Sequence, residues 1–274
     1  MTTTTETEIN AAENPALANK LVEQALAEQE VVTKAKKPKV QLPPDTQVEL
    51  AGGLEDPFEG NIYTAEIREL TGADEEAISK VSDPGKALLL VLERAVVKIG
   101  DNKADKDSLD TLLAGDRELL LLAIRKITFG NEVVLGPNCP ECGEDQEFHV
   151  DLDKDIEIKK LKEEDRYFSV DCKVGKVELT LPKGTVQKAL INSTNKSVAE
   201  LDTILLKHCI VNINGESVIS LDQVRNLSIK DRRELIKAIT DRNPGPQLAK
   251  VTKKCSACDR EVSLPLTLAG LFQE

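Results

Sequence analysis

Tryptophan is absent from this sequence, and aromatic side chains make up only 3% of it, with two tyrosines and five phenylalanines. Stacking platforms for nucleobases or sugar rings are thereby almost excluded. Histidine occurs only at His149 and His208, which leaves little of the commonest acid–base group near neutral pH. No apolar run approaches the roughly 18 residues of a membrane-spanning helix. Positive charge is in the minority: 36 Lys and Arg against 48 Asp and Glu give a net −12. A nucleic-acid or anionic-membrane binder needs the opposite balance. Phosphate loops, GxSxG elbows and GxGxxG fingerprints are missing. The polar, acidic start Met1–Asn10 lacks the basic and apolar regions of a signal peptide. These absences point to a soluble, intracellular, non-enzymatic protein.

What is present falls into three stretches. Residues 1–44 are expected to form a disordered or helical extension. MTTTTETEIN has almost nothing to bury, Pro15–Val32 has the apolar spacing of an amphipathic helix, and Lys34–Lys39 with Pro43 and Pro44 reads as a basic tether. From Val48 the pattern becomes globular. Thr71–Asp74 fits a capping box, and Asp83–Pro84 caps an apolar helix expected over Lys86–Ile99 and stopped by Gly100. Asp101–Asp107 reads as a surface loop. Asp116–Phe129 is a second helix, ended by Gly130, and Phe148, Val150 and Leu152 alternate like a strand.

The second half repeats this plan. Ser108–Leu109–Asp110 recurs as Ser220–Leu221–Asp222, and Arg117–Glu118–Leu119 recurs 116 positions later as Arg233–Glu234–Leu235. The same offset carries Cys139 onto Cys255 and Cys142 onto Cys258, and Phe148, Val150 and Leu152 onto Leu264, Leu266 and Leu268. The expected fold is therefore α+β, with an internally duplicated helix–knuckle–strand unit. Units are placed at 45–158 and 159–274, each pairing a helix (Asp116–Phe129; Lys230–Thr240) with the strand after its knuckle. Leu119, Leu122, Ile124, Ile127, Leu235, Ile236 and Ile239 are expected to face the core.

Two CxxC pairs are what a four-thiolate zinc site needs, since each tight turn presents two sulfurs to one ion. Cys139–Pro–Glu–Cys142–Gly143 has the glycine that permits the turn, whereas Asp259 follows Cys258. Zinc ribbons usually space their knuckles by about 15–20 residues, but 112 residues separate Cys142 from Cys255. Duplication brings equivalent knuckles together. Closing so long a loop costs about 5 kcal/mol, against roughly 10–16 kcal/mol from structural zinc. Cys139, Cys142, Cys255 and Cys258 are thus the expected ligands of one shared, zinc-ribbon-like Zn. A thioredoxin-like redox pair and metal-free thiols remain the alternatives. Cys172 and Cys209 read as core or half-buried thiols, His149 as a surface residue, and His208 as a core or boundary histidine.

The stretch Leu112–Leu152, LLAGDRELLLLAIRKITFGNEVVLGPNCPECGEDQEFHVDL, together with LTGADEEAI before it, resembles the T-even-type phage baseplate hub assembly chaperone family. The likeness covers Ile62–Ile158 and extends further through the duplication; Met1–Pro44 lies outside it. It implies a non-enzymatic chaperone or scaffold of the contractile tail. Such a protein binds a baseplate hub or tape-measure protein, in the host cytoplasm during assembly or in the virion tail. Neither nucleic acid nor membrane is an expected partner. The competing reading is a zinc-ribbon, transcription-type nucleic-acid factor. It needs basic residues around the knuckles, yet Glu141, Glu144, Asp145 and Glu147 surround the first.

Overall fold

The computed structural model describes residues 47–57, 60–136, 138–193, 195–218, 220–264 and 266–272. The extension expected over residues 1–44, with its helix over Pro15–Val32, lies outside the described residues.

Strands β1 (Gln47–Asp56) and β2 (Gly60–Ile67) pair antiparallel, but the register breaks between Glu49 and Leu54. Glu49 faces Thr64 and Leu54 faces Ile62, so Leu50–Gly53 bulges out against Tyr63 alone. Helix α1 (Gly72–Ile78) starts at the expected capping box of Thr71 with Asp74. Helix α2 (Pro84–Ala95) is capped by Asp83, whose carboxylate accepts the Lys86 N–H at 2.8 Å.

The expected helix over Lys86–Ile99 is corrected here. It stops at Ala95, and Val96–Ile99 forms strand β3 against β2. Val96 and Val97 are β-branched and favour extended backbone, which Val96 adopts at φ −79° and ψ 119°. Gly100, at φ 60°, turns the chain into β4 (Asn102–Lys103). The stretch Asp101–Asp107, expected as loop, therefore holds a short strand and the Asp105 cap of α3 (Lys106–Thr111).

Helix α4 (Ala114–Phe129) is followed by β5 (Glu132–Leu135), β6 (Phe148–Asp151) and β7 (Ile158–Lys159). Then the opening order of elements returns: β8 (Tyr167–Cys172), β9 (Gly175–Thr180), α5 (Gly184–Ile191), α6 (Val198–Cys209), β10 (Ile210–Ile213), β11 (Glu216–Ser217), α7 (Leu221–Arg225) and α8 (Ile229–Arg242). Short strands β12 (Gly245–Pro246), β13 (Thr252–Lys254) and β14 (Glu261–Ser263) and helix α9 (Leu268–Leu271) complete the described chain. Among the described residues, one four-stranded antiparallel sheet has the order β1-β2-β3-β4 and a second has the order β11-β10-β9-β8, beside two-stranded pairs. Helix α6 runs straight into β10 at Ile210, as α2 runs into β3 at Val96.

Burial along α4 and α8 coincides at an offset of 115, one residue from the 116 read from Arg–Glu–Leu. Asp116 and Asp231 are both buried, as are Leu120 with Leu235 and Ile124 with Ile239. An offset of 116 would set exposed Arg233 against buried Arg117. The doubled Arg232–Arg233 allows either match by letters, and burial selects the first. Of the expected core positions, Leu119, Leu122, Ile124, Leu235 and Ile239 are buried, while Ile127 and Ile236 are half-buried.

Three apolar cores result. One lies between the first sheet and α2–α4, around Ile67, Leu92, Leu120 and Ile124. A second gathers Val177, Leu206, Val224, Leu235 and Ile239 in the later half. The third, with Leu122, Phe148, Val150, Val262 and Leu264, underlies the two cysteine hairpins. Helix α4 serves two cores at once, Leu120 and Ile124 in one and Leu122 in the other, which is why it reads as apolar nearly all round.

The halves also interlock. The Ala114 N–H donates to the Pro182 carbonyl at 2.8 Å, and the Gly184 N–H donates to Leu112 at 2.9 Å. Arg166 donates to the carbonyls of Gly52 and Gly53 in the β1 bulge. Strand β7 pairs with β12, and there Gly115 lies so close to Pro244 that a methyl group on it would overlap the Pro244 carbonyl. No helix among the described residues is long and apolar enough to cross a membrane.

Candidate metal centre

Each cysteine pair sits at the tip of a two-stranded hairpin. In the first, β5 and β6 pair with Leu135 opposite Phe148, and Cys139 and Cys142 lie between them. The Cys139 N–H donates to the Glu144 carbonyl at 2.8 Å, and the Gly143 N–H returns to the Cys139 carbonyl at 2.8 Å. In the second, β13 and β14 pair with Lys254 opposite Glu261. Here the Cys255 N–H donates to Arg260 at 2.8 Å and the Asp259 N–H to Cys255 at 2.9 Å. The two turns are the same turn. Gly143 and Asp259 both adopt left-handed backbone, at φ 74° and φ 55°. Aspartate is among the few residues besides glycine that tolerate this conformation, so the second knuckle forms without glycine.

The hairpins bring all four expected ligands together. The sulfurs of Cys139, Cys142, Cys255 and Cys258 all lie within 4.8 Å of one another. Across the hairpins, Cys139 Sγ is 3.7 Å from Cys258 Sγ, and Cys142 Sγ is 3.7 Å from Cys255 Sγ. A tetrahedral ion with bonds of about 2.3 Å to sulfur requires edges of about 3.8 Å. The spacing fits that tetrahedron, and four soft sulfur donors suit zinc. Cys139 and Cys255 are buried over the apolar core, Cys258 is half-buried and Cys142 faces solvent.

The four thiols are not alike electrostatically. The N–H groups of Cys258 and Ala257, with the Gln146 amide, draw the Cys255 thiol down to about 6 against its desolvation. Cys142 moves the other way, to about 12. The Glu144 N–H favours its thiolate, but desolvation and the neighbouring thiols outweigh it. Sulfurs this close share little negative charge among themselves, and a cation is what lets all four ionise. Around them, Gln146 spans the hairpins, donating from Nε2 to Cys255 Sγ at 3.0 Å and accepting the Ser256 N–H at 3.0 Å. Arg260 reaches back to Glu141 at 2.6 Å.

The remaining candidates stay apart from this cluster. Cys209 is buried and Cys172 half-buried, as expected for packing thiols. His149 is exposed and bonds Glu132 at 2.7 Å, while Phe148 beside it is buried. His208, read as a core or boundary histidine, is exposed: it lies on the outer side of α6, one residue before buried Cys209. Cys172 lies near Asp231 and Glu234, but Asp231 is engaged by the Lys173 N–H at 3.1 Å and reads as a structural cap. A groove of about 530 Å³ lies beside α1, α2 and α9; among its lining residues, including Leu88, Phe129 and Phe272, Glu75 is the single charged side chain. That lining offers no paired acid and base.

Sequence reasoning missed Gln146, because a lone glutamine beside a knuckle carries no spacing signal. It also missed three buried polar groups: Asp116, which accepts the Gly52 N–H within the first half, and Arg117 and Arg166, which reach across to Gln187 and to the Gly52 and Gly53 carbonyls. The Asp–Arg dipeptide at an offset of 115 was a signal for two of them. No curated protein and no solved structure matches the chain. The family model described as T4 bacteriophage base plate protein matches residues 54–272, a span that runs from the end of β1 through all four clustered cysteines. This chain belongs to that base plate protein family.

Proposed function

We propose that the chain is a non-enzymatic assembly chaperone or scaffold of the phage tail, binding a hub or tape-measure protein and stapled by one structural zinc. The observation that carries the zinc is the convergence of two knuckles, 112 residues apart in sequence, onto sulfurs within 4.8 Å of each other. Cys139, Cys142, Cys255 and Cys258 would hold the ion. Four thiolates leave it no open position, so it supplies stability and not a reactive water. The repeated order of elements and the matching knuckle turns support two copies of one unit, divided near residues 158 and 159. Membership of the base plate family supports the tail as the site of action and a phage structural protein as the partner.

The test is a pull-down of the full chain from phage-expressing cells at low and high salt, compared with the protein content of finished particles. A tail protein held through apolar surface is retained in high salt. Absence of the chain from particles that it helps to build supports the chaperone role; its presence supports a scaffold that stays. Recovery of nucleic acid without any tail protein overturns the proposal in favour of a zinc-ribbon nucleic-acid factor.

A further inference from the structure

We infer that Gln146 is a positioning residue of the metal centre: it holds Cys255 as the anchoring thiolate and leaves Cys142 as the ligand through which metal is exchanged. This rests on the zinc reading above.

Gln146 belongs to the first hairpin, three residues past Gly143, yet its side chain is spent on the second. Nε2 donates to Cys255 Sγ at 3.0 Å, and Oε1 accepts both the N–H of Ser256 at 3.0 Å and its hydroxyl at 2.8 Å. The amide orientation is not arbitrary. A backbone N–H can only donate, so Ser256 must face the oxygen, and the NH₂ group is thereby aimed at sulfur. With both ends of the amide held, the Cys255 side chain is fixed in direction before any ion arrives. An N–H donated to a thiolate also withdraws charge from it, lowering its reactivity toward electrophiles.

Cys142 is the contrast. It faces solvent, whereas Cys255 is 2% exposed. Its sulfur meets the Glu144 backbone N–H and the sulfur of Cys255 at 3.7 Å, and the side-chain amide at the cluster, that of Gln146, is spent on Cys255 and Ser256. A chelator or competing thiol approaching from water meets Cys142 first. The centre therefore has a sheltered, pre-aimed end and an open one.

The experiment uses the zinc-loaded full chain with limiting iodoacetamide, labelled peptides being read by mass spectrometry alongside zinc content and affinity by chelator competition. Among the four clustered cysteines of the unaltered protein, Cys142 should label first and Cys255 last. Gln146→Glu keeps the length and the acceptor for Ser256 but loses the donor to sulfur. Gln146→Met loses the donor without adding charge. Both should raise Cys255 labelling about tenfold and weaken zinc binding about 10- to 100-fold, with Cys142 labelling little changed. Ser256→Ala, which keeps the bond to sulfur, should move neither readout. Labelling of Cys255 at the unaltered rate in both Gln146 variants, at full zinc content, overturns the inference. So does an unaltered protein in which Cys255 labels before Cys142. Unaltered protein holding no zinc overturns the underlying reading instead.

Discussion

Arg117 and Arg232 hold the same station in the two halves of the chain. Each donates a guanidinium N–H to the carbonyl eight residues earlier, Arg117 to Leu109 at 2.6 Å and Arg232 to Val224 at 3.3 Å. Their surroundings then diverge. Arg117 is 2% exposed and spends its Nε on Gln187 of the other half at 2.8 Å. Arg232 is half-buried and turns to Ala199 and Thr203 in its own half, at 2.8 and 2.9 Å.

That difference sets the first prediction. Arg117→Met removes the partner of Asp110 at 3.5 Å, strands the Leu109 carbonyl and Gln187, and should cost about 3–5 kcal/mol. Arg232→Met should cost about 1 kcal/mol, since water reaches the groups it leaves. Urea unfolding midpoints of both variants check this, and equal losses would count against the asymmetry.

The metal centre gives the second. On the proposed shared site, Cys139→Ser and Cys255→Ser would each remove one thiolate from the same tetrahedron, so both should lose zinc and lower the thermal midpoint by similar amounts. Chelation of the unaltered protein should lower it too, because bound metal is folding free energy. Elemental analysis should find one zinc per chain; two, or a loss confined to the first knuckle, would contradict a shared site.

Backbone conformation supplies the third. Gly143→Asp recreates the residue that the second knuckle already carries at φ 55°, and it should retain zinc with a loss under about 1 kcal/mol. Gly143→Val forces a β-branched residue into left-handed backbone and should cost about 1–2 kcal/mol more. Similar losses for both variants would mean that the turn does not need this conformation.

Two carboxylates should move stability in opposite directions with pH. Burial pushes Glu118 up to about 7 from 4.5. The folded chain then keeps a proton that the unfolded chain has released, so stability falls as pH rises through that interval. Glu118→Gln should flatten this slope and gain on the order of 2 kcal/mol at pH 8. Asp74 is held far below the usual carboxylate range by the Arg68 hydrogen bond above all, with Thr71 and Arg94 adding to it. Its stabilisation is present above pH 3.8 and is lost as pH falls below that value. Asp74→Asn should cost about 1.5–3 kcal/mol at neutral pH. Chemical unfolding measured from pH 3 to pH 8 separates the two.

The caps and the clustering of the four cysteines were legible because each rests on local chemistry at fixed spacing. Asp83 before Pro84 and Thr71 before Asp74 bond to residues three positions away. The strands were harder. Val96–Ile99 continues the apolar run of the helix, so the helical pattern outweighs the extended preference of Val96 and Val97, and pairing with β2 is what makes it a strand. Strands β1, β2, β8 and β9 were not distinguished at all, since β1 breaks its alternation at the Leu50–Gly53 bulge. Gln146 was invisible for another reason: its partners, Cys255 and Ser256, are 109 and 110 residues away. Sequence patterns report periodicity and spacing, and a single long-range amide has neither.

The separation of the two knuckles imposes a timetable on synthesis. Cys255 leaves the ribosome 113 residues after Cys142, an interval of about 6–23 s at 5–20 residues per second. Throughout it, the first hairpin has two sulfurs where four are needed, and Cys139 has no second hairpin to cover it. The later sheet can form in that time, because its core draws only on Phe168 to Ile239. The four-thiolate centre proposed above would thus close only once Cys255 and Cys258 have emerged. A chain halted before residue 255 keeps an open, two-thiol hairpin that a protease or thiol reagent can tell from the completed fold.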